Sequence, residues 1–229
     1  MKSARFAIAL AAILPFGLVS ARTAQAQLHW DVGAEVGAMR RVLSSRAIGT
    51  EDAGIGPIGE IHGHVALLPL VRVGAYLGHD ISPQGNSGSR QITFFGARVK
   101  VNSPWPHDPW RAYFFAGFGY AAVYAPSYHT SVISPGATGM PAKEDALVDG
   151  VGGHFFEIPL GIGIAYKVRK PLEITAELSG RFGFGFGGDL YDLDRGRVGS
   201  SPSQIGLLVD NPGNDAIGVS LMLGVNFDL

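Results

Sequence analysis

One stretch of the chain, residues 154–170, alternates between two kinds of side chain over a length that few folds can accommodate. Every even position from Phe156 to Val168 is apolar, whereas the odd positions are small, charged or proline. A period of two residues indicates a β-strand. The run from Ile158 to Val168 would span about 33 Å, or about 25 Å when tilted near 40°, which is the height of the apolar band on membrane-spanning barrels.

The same alternation recurs along the chain and predicts eight strands. The segments are 28–43, 58–68, 71–80, 90–101, 111–124, 154–169, 172–187 and 216–229. Their apolar series, for example Trp30 to Val36 and Ile217 to Leu229 in steps of two, carry no charge. Only 16% of all residues are charged, against about 25% in soluble domains. A soluble sandwich would place charges on its outer face, so the pattern favours lipid as the outer solvent. We therefore predict an all-β fold, an eight-stranded antiparallel up-and-down transmembrane β-barrel formed by residues 27–229.

The opposite series of the predicted strands holds the charged residues together with many glycines. An eight-stranded barrel encloses only enough room for side chains, and buried charges are costly unless they are paired. The balance of acids and bases therefore predicts a plugged interior with a structural charge network. Its predicted members are Glu35, Glu60, His62, His64, Arg72, Arg98, Lys100, Glu157, Lys167, Glu173, Glu177 and Arg181.

The connections between the predicted strands alternate in length. Long connections fall at 44–57, 81–89, 125–153 and 188–215, and shorter ones at 69–70, 102–110 and 170–171. Short turns on one side of a membrane and longer loops on the other are typical of bacterial barrels, with both termini on the periplasmic side.

The first 26 residues have the features of an export signal. Lys2 and Arg5 precede an apolar stretch, and Ala24-Gln25-Ala26 forms a small-x-small cleavage site. The apolar stretch contains Pro15 and is too short for a membrane helix. The sequence therefore predicts an exported protein. It has no cysteine and no basic excess, which excludes thiol chemistry and argues against a nucleic-acid partner.

Three of these features together resemble the small outer-membrane β-barrels of the OmpA-type transmembrane superfamily, without the peptidoglycan-binding domain. They are the signal, the stretch 156–163 and the alternating C-terminal strand with Phe227 near its end. The resemblance implies residence in the outer membrane, contact with lipid and lipopolysaccharide, and recognition of Val219 to Leu229 by the barrel assembly machinery. The last residue is Leu229, where the family usually has an aromatic residue.

The sequence leaves several functions open, and we favour a non-enzymatic barrel without cofactor, with a structural role or with loops that bind an unknown ligand. His129-Thr130-Ser131 resembles the His-x-Ser element of lipid A deacylase barrels, but falls in a predicted loop. A conduit for small molecules, gated by Arg72, Arg98, Lys100 and Glu177, is another alternative, and a soluble periplasmic barrel is a third.

Two groups of side chains raise the question of a metal. Asp189, Asp192 and Asp194 offer oxygen ligands, but the later Glu of a complete calcium loop is missing, which favours a solvated turn. His62 and His64 share the inward face with Glu60 and could bind a transition metal. Hydrogen-bonded interior histidines are the interpretation that we favour, and we predict no metal site.

Overall fold

The computed structural model describes residues 29–43, 46–47, 54–83, 88–105, 108–135, 141–188, 191–198, 209–210 and 216–229. The predicted signal, residues 1–26, lies outside this part of the chain. Within the described residues, thirteen strands follow one another along the sequence. They are β1 (Trp30–Leu43), β2 (Arg46–Ala47), β3 (Ile55–Ala66), β4 (Val71–Pro83), β5 (Ser89–Asn102), β6 (Trp110–Tyr124), β7 (Tyr128–Pro135), β8 (Pro141–Gly150), β9 (Gly152–Arg169), β10 (Leu172–Gly187), β11 (Tyr191–Val198), β12 (Val209–Asp210) and β13 (Ala216–Asp228).

Eight of these strands close into a barrel in the order β1-β13-β10-β9-β6-β5-β4-β3. Each strand is antiparallel to both neighbours, and β1 completes the circle by pairing with β13 on one side and β3 on the other. Closure satisfies the backbone groups of every barrel strand, which the interior of a bilayer requires. The predicted eight-stranded antiparallel up-and-down barrel is therefore confirmed.

The two faces of the barrel wall differ as the alternation predicts. On β13, Val219, Leu221 and Leu223 point outward and are 55–61% exposed, whereas Ser220 and Met222 between them are buried. The other barrel strands repeat this pattern and together form an apolar outer belt. Within the described residues, no helix has the length and apolar character needed to cross a membrane.

The connections at the two ends of the barrel differ in structure. At the periplasmic end of the predicted topology, β9 and β10 are joined through Lys170 and Pro171, and β3 and β4 through residues 67–70. At the other end, β7, β8 and β11 form a three-stranded sheet in the order β11-β8-β7, and β2 pairs with β12. The sequence analysis predicted loops here, and this was wrong for most of residues 128–150.

This three-stranded sheet packs against the barrel through a buried apolar face. Tyr128, Val132, Ala146 and Val148 of the sheet belong to one hydrophobic cluster with inward-facing residues of the barrel. The barrel residues of that cluster are Met39, Ile58, Tyr76, Ile92, Phe94, Ala121, Val123, Phe155, Ala216 and Met222. The sheet and the barrel therefore share one core, which extends through the outer half of the interior.

Candidate functional site

Five charged side chains from four strands form the centre of the interior. Arg181 of β10 donates to Glu157 Oε1 at 2.6 Å and also to Glu60 Oε2. Arg98 of β5 donates from Nη1 to Glu60 Oε1 at 3.0 Å and to Glu177 Oε2 at 3.3 Å. All these side chains are at least 97% buried, so each carboxylate is neutralised by direct contact with a guanidinium group rather than by water.

Aromatic rings surround the two arginines. The guanidinium carbon of Arg181 lies 4.1 Å from the centre of the Phe94 ring, and that of Arg98 lies 4.7 Å from the centre of the Phe115 ring. A cation over an aromatic face is stabilised by the ring quadrupole, and more strongly where water is excluded. The rings therefore compensate part of the cost of burying these charges.

The network continues toward the external sheet through Arg41. Its Nη2 lies 2.9 Å from Asp80 Oδ2, and its Nη1 lies 3.3 Å from Glu157 Oε2. Beyond these contacts the interior becomes apolar, with Phe94, Phe155 and Ile92 completely buried. The sequence analysis described the inward face as small or charged and missed this apolar layer, which closes the outer half of the barrel.

Toward the opposite end, a second set of ion pairs lies just inside the opening. Arg72 donates to Asp31 Oδ2 at 2.5 Å and to Asp228 Oδ1 at 2.8 Å. Arg111 donates to Glu173 Oε2 at 2.5 Å. These pairs are partly exposed on the side of Arg111 and Asp228, so this layer forms the boundary between the interior and solvent.

Part of the buried network is less completely hydrogen-bonded than its centre. Glu35 Oε1 accepts from Thr175 at 2.7 Å, and its other oxygen has no hydrogen-bond partner. Tyr113 donates to Glu177 Oε1 at 2.8 Å, and the Lys100 ammonium lies 4.0 Å from the centre of the Tyr113 ring without a hydrogen-bond acceptor. The network is therefore well paired at its centre and less satisfied near Glu35 and Lys100.

Eleven of the twelve predicted network residues lie inside the barrel, and Lys167 does not. Lys167 is on the inward side of β9, but so near the strand end that its side chain is exposed at the opening. The sequence analysis also missed charged residues that occupy inward-facing positions of the same alternating pattern. These are Asp31, Arg41, Asp80, Arg90, Arg111 and Asp228. Asp31 and Arg41, for example, alternate in step with Glu35, so the signal that would have found them was present.

The two interior histidines differ from each other. His64 Nε2 accepts from Arg98 Nε at 3.1 Å, so Nδ1 carries the proton and donates to Asp31 Oδ1 at 2.6 Å. The interpretation as a hydrogen-bonded histidine therefore fits His64. His62 contradicts it, because neither of its ring nitrogens has a hydrogen-bond partner. Its ring centre lies 5.1 Å from that of His64.

Asp31, His62 and His64 offer ligand atoms within 4.8 Å of one another. A metal bound to His64 Nδ1 would require the ring proton on Nε2, where Arg98 already donates. Arg72 also contacts the carboxylate of Asp31. The donor set is therefore poorly prepared for a cation. Asp189, one member of the acidic group at 189–194, lies outside the described residues. The structure therefore does not test this group as a metal site.

His129 and Ser131 lie on strand β7 of the external sheet, not in a loop as predicted. His129 Nδ1 lies 2.9 Å from Asp145 Oδ2, and Ser131 is the register partner of Asp145 across the hairpin. All three side chains face outward and are exposed. A histidine, a serine and an acid thus share one exposed face.

Comparison with known proteins supports the fold. No family model matches the sequence, and no curated protein matches it significantly. A major outer membrane protein from Thermus thermophilus is similar in structure, with a TM-score of 0.50 and 14% identity, over 89% of this chain and 100% of that one.

Two other solved structures align over similar lengths. Neisserial surface protein A aligns over 88% of this chain and 97% of its own, with 9% identity and a TM-score of 0.49. OprG from Pseudomonas aeruginosa aligns over 88% and 96%, with 7% identity and a TM-score of 0.46. The closed eight-stranded barrel and the likeness to the Thermus thermophilus protein give the chain the fold of an outer-membrane β-barrel. At 14% identity this likeness concerns the fold alone.

Proposed function

We propose that this protein is a non-enzymatic barrel of the bacterial outer membrane, with a closed interior and a structural or binding role carried by its external sheet. The observation that carries the proposal is the filled interior. Ion pairs among Glu60, Arg98, Glu157 and Arg181 occupy the centre, and the apolar layer with Phe94 lies outside them. A solute would have to displace both layers.

The apolar outer belt supports residence in a membrane. Large apolar side chains of β9, β10 and β13 are 36–61% exposed on the outer face, over the length of their strands. Soluble monomers rarely expose contiguous apolar patches larger than roughly a few hundred Å². The soluble periplasmic barrel is therefore the weaker alternative.

Conductance in planar bilayers tests the closed interior. The refolded full-length chain should give current at the baseline of the protein-free bilayer. The double variant Arg98→Met/Glu177→Gln, which removes one charge pair but keeps most of the side-chain volume, serves as the comparison. Regular conductance steps from the unmodified chain would overturn the proposal in favour of a conduit.

The external sheet gives one specific reason to keep a lipid-hydrolase alternative. His129 contacts Asp145, and Ser131 lies on the same exposed face, which is the set of groups that an activated serine nucleophile needs. Under our proposal, overexpression of the chain leaves lipid A acylation unchanged. Loss of an acyl chain that depends on Ser131, abolished by Ser131→Ala and retained in Ser127→Ala, would establish the hydrolase instead.

The partners that we propose are outer-membrane lipid, lipopolysaccharide and the barrel assembly machinery. The support for the last is the outward series of β13, from Val219 to Phe227. In this proposal, the Phe227→Ala variant reaches the outer membrane in a smaller amount than the Val219→Ala variant, measured on cell fractions. Equal amounts would remove the special role of the C-terminal end.

A further inference from the structure

A cavity of about 530 Å³ opens at the end of the barrel where β9 turns into β10. Three cationic residues of that turn, Lys167, Arg169 and Lys170, line it and are exposed. Among the described residues, none of the three forms an ion pair with an acidic side chain. The turn therefore presents three free positive charges to whatever enters the cavity, which we call the mouth cavity.

The acids of the mouth cavity do not cancel these charges. Glu173 contacts Arg111 at 2.5 Å. Asp228 contacts Arg72, which it shares with Asp31, and lies 3.9 Å from Arg111. Asp108 also lines the cavity and retains its own charge. Asp108 and the terminal carboxylate of Leu229 lie on other segments of the lining, so the positive charge is concentrated at the β9–β10 turn, where three cations have no acidic partner within the described part of the chain. A cluster of this kind favours an anionic group at the turn.

A second depression, of about 240 Å³, lies beside the mouth cavity on the outer wall, and the two share Trp110 and Arg111. Its floor is apolar, because Ala112 and Ile164 are register partners with outward, exposed side chains. Trp105 borders it, and the ring of Trp110 lies 4.7 Å from that of Tyr166. We call this depression the wall groove. Tryptophan and tyrosine at a strand end mark the level of the lipid headgroups.

We propose that the mouth cavity and the wall groove together bind one anionic phospholipid of the periplasmic leaflet. Its phosphate lies against Lys167, Arg169 and Lys170, and one acyl chain runs along Ala112 and Ile164. The proposal rests on the proposed residence in the outer membrane. It goes beyond general attraction to a membrane, because an electropositive cavity and an apolar groove meet at one tryptophan.

Native mass spectrometry of the refolded full chain in detergent micelles tests the proposal. The probes are phosphatidylglycerol and phosphatidylcholine with identical acyl chains. We expect phosphatidylglycerol to remain bound at least tenfold more than phosphatidylcholine. A cation near a membrane surface contributes about fivefold to such binding, so the double variant Arg169→Gln/Lys170→Gln should reduce it by about 25-fold.

The matched control is Arg40→Gln/Lys143→Gln, which removes two exposed cations from the other end of the molecule. Its retention of phosphatidylglycerol should equal that of the unmodified chain, and an equal loss in both double variants would overturn a localised site. Equal retention of the two lipids by the unmodified chain would also overturn it. Heat-modifiable migration on SDS gels shows that each variant is folded.

Filling the wall groove separates a phospholipid from a free phosphate. Ala112→Phe should lower the retention of phosphatidylglycerol several-fold, and glycerol 3-phosphate should compete poorly with the lipid. Unchanged retention in Ala112→Phe, or efficient competition by glycerol 3-phosphate, would overturn the phospholipid assignment. Both results are independent of conductance. The lipid site can therefore fail its test while the interior proves closed, and the interior can conduct while the lipid site is confirmed.

Discussion

Removal of the Arg98 side chain tests whether the interior is dry and held by paired charges. Arg98 is 2% exposed and donates to Glu60, Glu177 and His64. In Arg98→Ala, Glu60 retains Arg181, but Glu177 retains only the hydroxyl group of Tyr113. His64 loses the donor to its Nε2. One carboxylate is therefore left buried without a cationic partner.

The expected loss follows from that unpaired carboxylate. Breaking a buried ion pair by removing one partner costs about 3 to 5 kcal/mol, chiefly because the remaining charge stays desolvated. The lost contact with the Phe115 ring acts in the same direction. We expect Arg98→Ala to lower the free energy of unfolding by about 3 to 5 kcal/mol. Glu177→Ala leaves the guanidinium group of Arg98 with one carboxylate partner fewer and should lower it by several kcal/mol.

Urea titration in detergent micelles or lipid vesicles, followed by heat-modifiable migration on SDS gels, measures the change. The control is the double variant Arg98→Met/Glu177→Gln, which removes both charges and keeps most of the volume. Replacement of a buried pair by neutral groups is often close to neutral, so the double variant should recover much of the loss. Lys143→Ala, at an exposed cation of the external sheet, should change stability by less than about 0.5 kcal/mol.

A loss below about 1 kcal/mol in Arg98→Ala would refute this reasoning. It would mean that water reaches Glu177 and replaces the guanidinium group, so that the interior is wet. A double variant less stable than either single variant would refute it differently, because the stability would then come from packing of the side chains rather than from charge pairing.

Three further pairs of substitutions test other parts of the structure by the same titration. His62→Leu should leave stability unchanged or raise it, because neither ring nitrogen has a hydrogen-bond partner. His64→Leu should lower stability by about 1 to 3 kcal/mol, since it removes a hydrogen-bond partner from both Asp31 and Arg98. A loss of stability in His62→Leu would show that His62 has a partner in the folded protein. Gly119→Ala should cost about 1 to 3 kcal/mol, because the added carbon would lie 2.6 Å from the carbonyl oxygen of Phe95. Gly180→Ala should cost less, because the nearest atom to its added carbon is a ring carbon of Phe182 at 3.4 Å. Equal losses would contradict the packing of β6 on β5. Leu221→Lys, in the middle of the outer belt, should lower the free energy of unfolding in vesicles by about 2 to 4 kcal/mol. Ile133→Lys, on the external sheet, should change it by no more than about 0.5 kcal/mol. Small changes at both positions would argue that Leu221 faces water.

The fold could be predicted because its signal is local and repeated. In each barrel strand, a side chain faces lipid or the interior according to its parity alone, as in the alternation of Leu221 and Met222. Lipid disfavours charge on the outer series, and β9 and β13 carry none there. Arg40, near the outer end of β1, is an exception. Parity also places Lys167 on the inward side, but depth along the barrel decides burial, and parity does not report depth.

The pairing of the charges could not be predicted, because it depends on the stagger between strands. Arg181 reaches Glu60 across a separation of 121 residues, and Arg41 reaches Glu157 across 116. These contacts cross the interior between strands that are not neighbours in the sheet. Only the shear of the closed barrel brings such residues to the same depth, and no single strand contains that information.

The external sheet was missed because its strands are short and half of each faces the barrel. In β7 and β8, the buried positions Tyr128, Val132, Ala146 and Val148 complete the apolar core that begins with Phe94 inside the barrel. The chain thus closes its own outer opening, and a solute path would require this sheet to separate from the core that it shares. If the proposed binding role holds, the surface left for it at the outer end is the opposite, exposed face of the hairpin, which carries His129, Ser131 and Ile133.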